Sequence, residues 1–280
     1  MRLFVAKHIG FCSGVERAYL TIKRLLVEGR RVVTDGDVVH NPQVMEELKS
    51  LGLLVSKDTV FEDAVFAVRA HGIPQSEYER VKRNFREVVD LTCPIVLKLF
   101  EIAKELSKEG KVVVFGKENH PEMVALKSHV PGALITLSPQ RVDAPEVVFL
   151  SQTTSSIDEY KAFVAETIRI NGFKKVLMLN TICPATISRE REVEELSKNC
   201  DVSIVVGGRN SANTEKLVRI ASKNGVVVWI EREDELPEDI VEYETVCVFS
   251  GTSTPNTTVL RVVEKLKEME GRSHGIERIQ

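Results

Sequence analysis

His120, Pro121 and Glu122 put an imidazole and a carboxyl at one point of the chain. The apolar run at 112–115 ahead of them predicts a buried strand. Pro121 suits the first turn of a helix that continues through Met123, Val124 and Leu126. A strand-to-helix junction of this kind lies at the carboxyl edge of a sheet, where open α/β sheets bind ligands. The first N–H groups of the helix suit an anion. A base, an acid and an anion site therefore coincide. The plain alternative is an ordinary first helical turn beside a surface His.

Cys12, Cys93 and Cys183 mark three more such junctions. Each follows a predicted strand. Cys12 precedes the helix SGVERAYLTIKRLL, Cys93 precedes PIVLKLFEIAKEL, and Cys183 precedes PATISREREVEEL. This recurrence predicts three similar α/β units, at 1–93, 94–183 and 184–270, with a loose polar tail at 271–280. Around a pseudo-threefold axis the three thiolates would meet at one point. Three thiolates are one short of the four that complete an iron–sulfur cubane, so one iron keeps an open position for a substrate oxygen. A zinc site built from three Cys and one His is an alternative, as are three unrelated buried cysteines. Cys200 falls between a helix and a strand and Cys247 lies inside VCVF, so both are expected to be small packing residues. With five cysteines and no C-x-x-C pair, neither a disulfide framework nor a zinc ribbon is expected.

The histidines repeat the theme. His40 follows a strand in VVHNPQV, with Asn41 as N-cap and Pro42 opening a helix. His71 follows a strand in AVRAHGIPQ, ahead of Gly72 and Pro74. In the last unit the matching junctions carry hydroxyls and amides. VVGGRNSANTEKL offers Asn210, Ser211 and Asn213, and VFSGTSTPNTTVL offers Ser250, Thr252 and Ser253. Simple N-caps are the alternative for each. Helix N-termini lined with His, Ser and Asn that converge on one axis would cradle a diphosphate without many Lys or Arg. The loop after the strand at 147–150 carries Gln152, Thr153 and Thr154. It either caps the next helix or donates hydrogen bonds to a substrate hydroxyl or an ordered water.

The elements that must position these groups alternate. Strand-like runs at 3–6, 32–34, 65–69, 88–91, 112–115, 134–137, 147–150, 176–179, 202–206, 226–230 and 246–249 are separated mostly by helical patterns. That alternation predicts an α/β fold with mainly parallel sheets. The 280 residues suffice for two domains or three small ones, and 43% hydrophobic with 28% charged residues fits a globular chain. Lys+Arg 38 against Asp+Glu 41, net −3, argues against a general nucleic-acid or anionic-membrane role. No apolar run reaches the length of a membrane span and the first residues lack a signal-peptide pattern, so a cytoplasmic location is expected.

Taken in order, GFCSGVERA, VVHNPQVMEELKSLG, RAHGIPQ, DLTCPIV, GKENHPEM, SQTT, ICPATISRE, GGRNSANTEKL and SGTSTP resemble the 4-hydroxy-3-methylbut-2-enyl diphosphate reductases, across nearly the whole chain. The resemblance implies a trefoil of three pseudo-symmetric α/β units around a central [4Fe–4S] cluster. Cys12, Cys93 and Cys183 are then its ligands, with one iron open. His40, His71, His120, Ser211, Asn213 and Ser253 are the implied diphosphate pocket. Glu122 is the implied proton donor, with His120 beside it, and Thr153 steadies the substrate hydroxyl. The implied reaction reduces (E)-4-hydroxy-3-methylbut-2-enyl diphosphate to isopentenyl and dimethylallyl diphosphate, the last step of the methylerythritol phosphate route to isoprenoids. The chain has no G-x-G-x-x-G nicotinamide fingerprint, so electrons are expected from ferredoxin or flavodoxin, delivered to a monomer. The chain departs from the family's usual pattern at Ala212, where a second Ser is common, and at Pro184 and Glu190 after the third cysteine. A non-catalytic protein that binds a phosphorylated ligand and a zinc hydrolase are the rival classes; colour and metal analysis separate them.

Overall fold

The computed structural model describes residues 1–56 and 61–277, with side chains as far as 271. In chain order its elements are β1 (Arg2–Val5), α1 (Ser13–Val27), β2 (Val32–Thr34), α2 (Pro42–Ser50), β3 (Leu54–Val55), β4 (Phe61–Val68), α3 (Gln75–Asn84), β5 (Phe85–Asp90), α4 (Pro94–Leu106), β6 (Lys111–Phe115), α5 (Pro121–His129) and β7 (Leu134–Thr136). They continue with β8 (Glu146–Ser151), α6 (Ile157–Arg169), β9 (Lys175–Met178), α7 (Pro184–Leu196), β10 (Val202–Val206), α8 (Ala212–Ala221), β11 (Val226–Ile230), β12 (Thr245–Ser250) and α9 (Asn256–Glu277). No described helix is long and apolar enough to cross a membrane.

The strands form three four-stranded sheets, ordered β1-β12-β10-β11, β3-β2-β4-β5 and β7-β6-β8-β9. Every pairing is parallel, so the expected α/β class with three parallel-sheet units holds. The apolar runs explain which strands sit centrally. VSIVV of β10 and TVCVFS of β12 are buried along their whole length, as strands covered on both faces must be. The outer strands β1, β9 and β11 are largely exposed or half-exposed, and their sequences tolerate it.

The chain divides into two compact units. One comprises Met1–Glu16, Val39–Glu47 and Ala185–Gln280, and holds the sheet β1-β12-β10-β11. Its core joins Val202, Ile204, Val246 and Val248 to Val259, Val262 and Leu266 of α9 on one face. On the other face Val193 of α7 and Leu217 of α8 pack against Val205, Cys247 and Phe249. The second unit comprises Arg17–Val38 and Leu48–Pro184 and holds the other two sheets. Here Leu99 and Phe100 of α4 and Met123 and Leu126 of α5 cover Val112, Val114, Val148 and Leu150. Val81 of α3 covers Phe66 and Val68.

Four expectations need amending. The sequence pattern places the opening strand in the unit 1–93, yet β1 pairs with β12, Phe4 opposite Cys247. An outer position beside a strand distant in sequence leaves no local signal. The two-residue strand β3 has no counterpart among the predicted runs. Helix α9 runs through Glu277, where a loose tail was expected from Gly271, and residues 278–280 lie outside the described part. Cys200 and Cys247, expected to be separate packing residues, form a disulfide with their Cα atoms 5.9 Å apart. That separation is within bridging range. It arises because Asp201 and Thr245 bond backbone to backbone at 3.0 Å, bringing the approach to β10 beside β12.

Candidate functional site

All of the predicted site residues follow a strand's carboxyl end and stand at or near the start of a helix. In the second unit the C-terminal edges of β4, β5, β6, β8 and β9 carry His71, Cys93, His120, Thr153 and Cys183. In the first unit, those of β1, β10 and β12 carry Cys12, Ser211 with Asn213, and Ser253. His40 precedes α2 in that same unit.

Glu122 lies in the first turn of α5 and is 1% exposed. Thr153 donates its N–H to Oε1 at 2.8 Å and its hydroxyl to Oε2 at 2.6 Å. Burial pushes the Glu122 carboxyl up to about 7, against the pull of the two Thr153 bonds, which favour the ionised form. Nothing in the residue types alone announces this value. It comes from the depth of the site, which outweighs the two Thr153 bonds.

His120 is the N-cap of α5, and its Nδ1 accepts the Glu122 N–H at 3.2 Å. The neutral ring then carries its proton on Nε2, which can donate to an anion. The His71 ring meets the His120 ring edge-on, with centroids 5.3 Å apart. Gly72 places His71 in a tight turn: its φ is +76°, and its N–H bonds Arg69 O at 3.0 Å. Arg69 in turn makes a two-pronged ion pair with Asp35, at 2.7 and 2.9 Å, tying the β4 edge to the β2 edge.

Cys93 is the N-cap of α4, and its N–H bonds Ala70 O at 2.9 Å. The preceding carbonyl, Thr92 O, accepts from Arg17 Nη2 at 2.6 Å. Cys183 N–H bonds Thr153 O at 2.8 Å, so the residue that holds Glu122 also holds the third cysteine's peptide. Thr181 braces the same loop by bonding both the N–H and the carbonyl of Ser151.

In the first unit, Cys12 N–H bonds Thr252 O at 3.1 Å, and Thr252 N–H bonds Asn213 Oδ1 at 3.0 Å. Asn213 is 5% exposed, and its buried Nδ2 finds no acceptor among the described residues. A buried amide group in that condition costs free energy unless a ligand supplies the acceptor. Ser211 is the N-cap of α8, its Oγ accepting the Thr214 N–H at 3.3 Å. Ser253 is 7% exposed in the loop between β12 and α9. A Cβ added at Gly208 would stand 2.7 Å from His40 O, so the loop leading to α8 closes on the His40 backbone.

The cysteines divide between the units. Cys12 is in the first, Cys93 and Cys183 in the second, and all three stand half-buried outside the disulfide. Among the described residues no group of three or more His, Cys, Asp or Glu side chains is drawn together as a metal site. The donor chemistry nonetheless suits an iron–sulfur cluster: three cysteine side chains, each seated at a strand-to-helix junction by its own backbone N–H. Arg17, Asp35 and Arg69 brace these loops, and the sequence alone does not mark them. Single charged residues in helices and strand ends read there as solvated.

A model of the LytB protein family matches residues 3–267. A 4-hydroxy-3-methylbut-2-enyl diphosphate reductase of Thermotoga maritima is 61% identical over 275 residues, covering 98% of this chain and 99% of the relative. One of Petrotoga mobilis is 40% identical over 278 residues, covering 96% and 98%. A solved (E)-4-hydroxy-3-methyl-but-2-enyl diphosphate reductase, titled the terminal enzyme of the non-mevalonate pathway, is 33% identical with a TM-score of 0.74, over 96% of this chain and all of that one. The Plasmodium falciparum E-1-hydroxy-2-methyl-but-2-enyl-4-diphosphate reductase is 26% identical with a TM-score of 0.85, over 94% of this chain and 87% of that one. Matched across nearly its whole length in sequence and in fold, the chain belongs to the LytB protein family.

Proposed function

We propose that this chain catalyses the reductive removal of the hydroxyl group of (E)-4-hydroxy-3-methylbut-2-enyl diphosphate. The products are isopentenyl and dimethylallyl diphosphate, the last step of the methylerythritol phosphate route. Two electrons and two protons convert the allylic alcohol to an alkene and water. The observation that carries this reading is the buried Glu122, held by both donors of Thr153 and pushed up to about 7, in a chain whose relatives bear that reductase's name.

Cys12, Cys93 and Cys183 would hold a [4Fe–4S] cluster, with one iron left open. When bound, the cluster supplies the electrons and a Lewis-acid site for the substrate oxygen. The chain's own residues do the rest. His40, His71, His120, Ser211, Asn213 and Ser253 take the diphosphate. Among them, the Nε2 of His120, whose Nδ1 accepts the Glu122 N–H, and the buried Nδ2 of Asn213 would donate to phosphate oxygens. Glu122, raised to about 7, still carries a share of its proton at neutral pH and delivers it to the departing hydroxyl. Once Glu122 is protonated, the Thr153 hydroxyl can turn from donor to acceptor or serve the substrate hydroxyl instead. A small carrier, ferredoxin or flavodoxin, delivers the electrons to a monomer in the cytoplasm.

Anaerobic preparation with iron and sulfide counting, followed by turnover with a reduced dye, tests the proposal. A brown protein with close to four irons per chain that forms both alkenes is expected. A colourless protein that binds the diphosphate without turnover would identify a binding module, and one zinc per chain would identify a hydrolase-type site.

A further inference from the structure

Arg189 sits in α7, the helix that opens directly after Cys183, and its side chain is 5% exposed. Its two Nη atoms donate to backbone carbonyls. Nη2 donates to Gly10 O at 2.8 Å and Nη1 to Ser250 O at 2.9 Å, with a longer approach of 3.4 Å to Ser250 Oγ. Ser250 Oγ accepts the Gly10 N–H at 2.9 Å. The β1–α1 and β12–α9 loops are thus clamped at one level by a side chain from a third element. Two residues further along, the same loops meet again, where Cys12 N–H bonds Thr252 O and Thr252 N–H reaches Asn213 Oδ1. Every residue in this network belongs to the first unit.

Burying a guanidinium is costly, and an apolar side chain of similar volume at such a position is often neutral or better for stability. What only the planar two-pronged cation provides is a fixed spacing between two carbonyl oxygens. Lysine, a point charge on a flexible stem, cannot reproduce it. We infer that Arg189 is a positioning residue that sets the Cys12 loop and the Ser253 loop in one register, so that one side chain governs both the iron side and the phosphate side of this unit. The inference rests on the roles proposed above for Cys12 and Ser253.

The test uses the full chain, prepared without oxygen, as Arg189→Lys, Arg189→Met and the comparator Ser253→Ala. Inorganic pyrophosphate binding is measured by calorimetry, the reduced protein's electron paramagnetic resonance spectrum is recorded, and KM and kcat are separated. Arg189→Lys is expected to weaken pyrophosphate about tenfold, as the loss of a buried charge-assisted hydrogen bond does, and to alter the spectrum of the same sample. Ser253→Ala should weaken pyrophosphate to a similar degree and keep the parent spectrum. A residue that served stability alone would lower the melting temperature and move neither readout. Arg189→Lys keeps the charge and answers the question if Arg189→Met does not fold. Parent-like affinity and spectrum in Arg189→Lys, with Ser253→Ala weakened, would overturn the positioning role and leave the site intact. If the parent binds no pyrophosphate and Ser253→Ala changes nothing, the reading of the site falls and the role of Arg189 falls with it.

Discussion

Thr153 gives both of its donors to Glu122, one to each carboxyl oxygen. Two such bonds would ordinarily hold a carboxylate well ionised. Burial outweighs them and leaves Glu122 close to neutrality in its proton equilibrium, at about 7. The pair therefore orients a carboxyl group that can still carry a proton where it is needed.

Replacing Glu122 with Gln keeps the shape and removes the proton. Turnover is expected to drop by ~10²–10⁴-fold, the usual contribution of a positioned general acid, with pyrophosphate affinity within about threefold of the parent. Steady-state kinetics beside calorimetry checks both. An unchanged kcat would take Glu122 out of the mechanism.

The same carboxyl sets a pH dependence. The proton donor is spent as pH rises through about 7, so kcat should decline above that value. Thr153→Val removes the hydroxyl that favours ionisation, so the decline should move to higher pH. A profile that stays in place in that variant would show that another group controls the limb.

Folding stability carries a matching signature. The native carboxyl binds its proton up to about 7, while the unfolded one releases it near 4.5. The native state thus holds the extra proton between those values. The contribution is complete below 4.5 and is lost as pH rises to about 7, on the order of 3 kcal/mol for such a shift. Denaturant titrations should show Glu122→Gln gaining on the parent across this window. Parallel curves would refute the shift.

Cys183→Ser is expected to lose or cripple iron binding, while Cys200→Ala keeps the parent's iron content. The second change opens a disulfide spanning 47 residues, so it should lower stability by ~2–4 kcal/mol. Iron analysis and denaturant midpoints measured on both variants separate the two effects. Iron loss in Cys200→Ala would mean that the wrong cysteine triplet has been assigned.

Gly10 has φ +79°, and a Cβ there would stand 1.9 Å from Asn256 Oδ1. Gly10→Ala is expected to cost ~1–3 kcal/mol from backbone strain and crowding combined, read as a fall in the urea midpoint. Asn256→Ala in the same chain should recover part of the loss, because it removes the crowding and leaves the strain.

Much of this was legible in the residues. Cys12, Cys93, Cys183, His40, His71 and His120 each stand between an apolar run and a helical pattern, and local chemistry alone marks such junctions. Residues that act across the chain left no comparable trace. Arg189 in SREREV reads as one charge among many, and its task depends on Gly10 and Ser250, which only the fold brings within reach. The Cys200–Cys247 bond is similar: each cysteine sits in an unremarkable setting until β12 lies beside β10. The protonation of Glu122 was equally hidden, since it follows from depth of burial rather than from its neighbours in sequence.

Arg2 of β1 lies opposite Thr245 of β12. During synthesis β1 must therefore wait, with this hydrogen-bonding edge unmet, until β12 has left the ribosome. The loop bearing Cys12 gains its backbone partner at Thr252 only at that late moment. A nascent chain stalled before residue 245 should therefore emerge with the backbone bonds of Cys93 and Cys183 available and the Cys12 N–H still without Thr252 O.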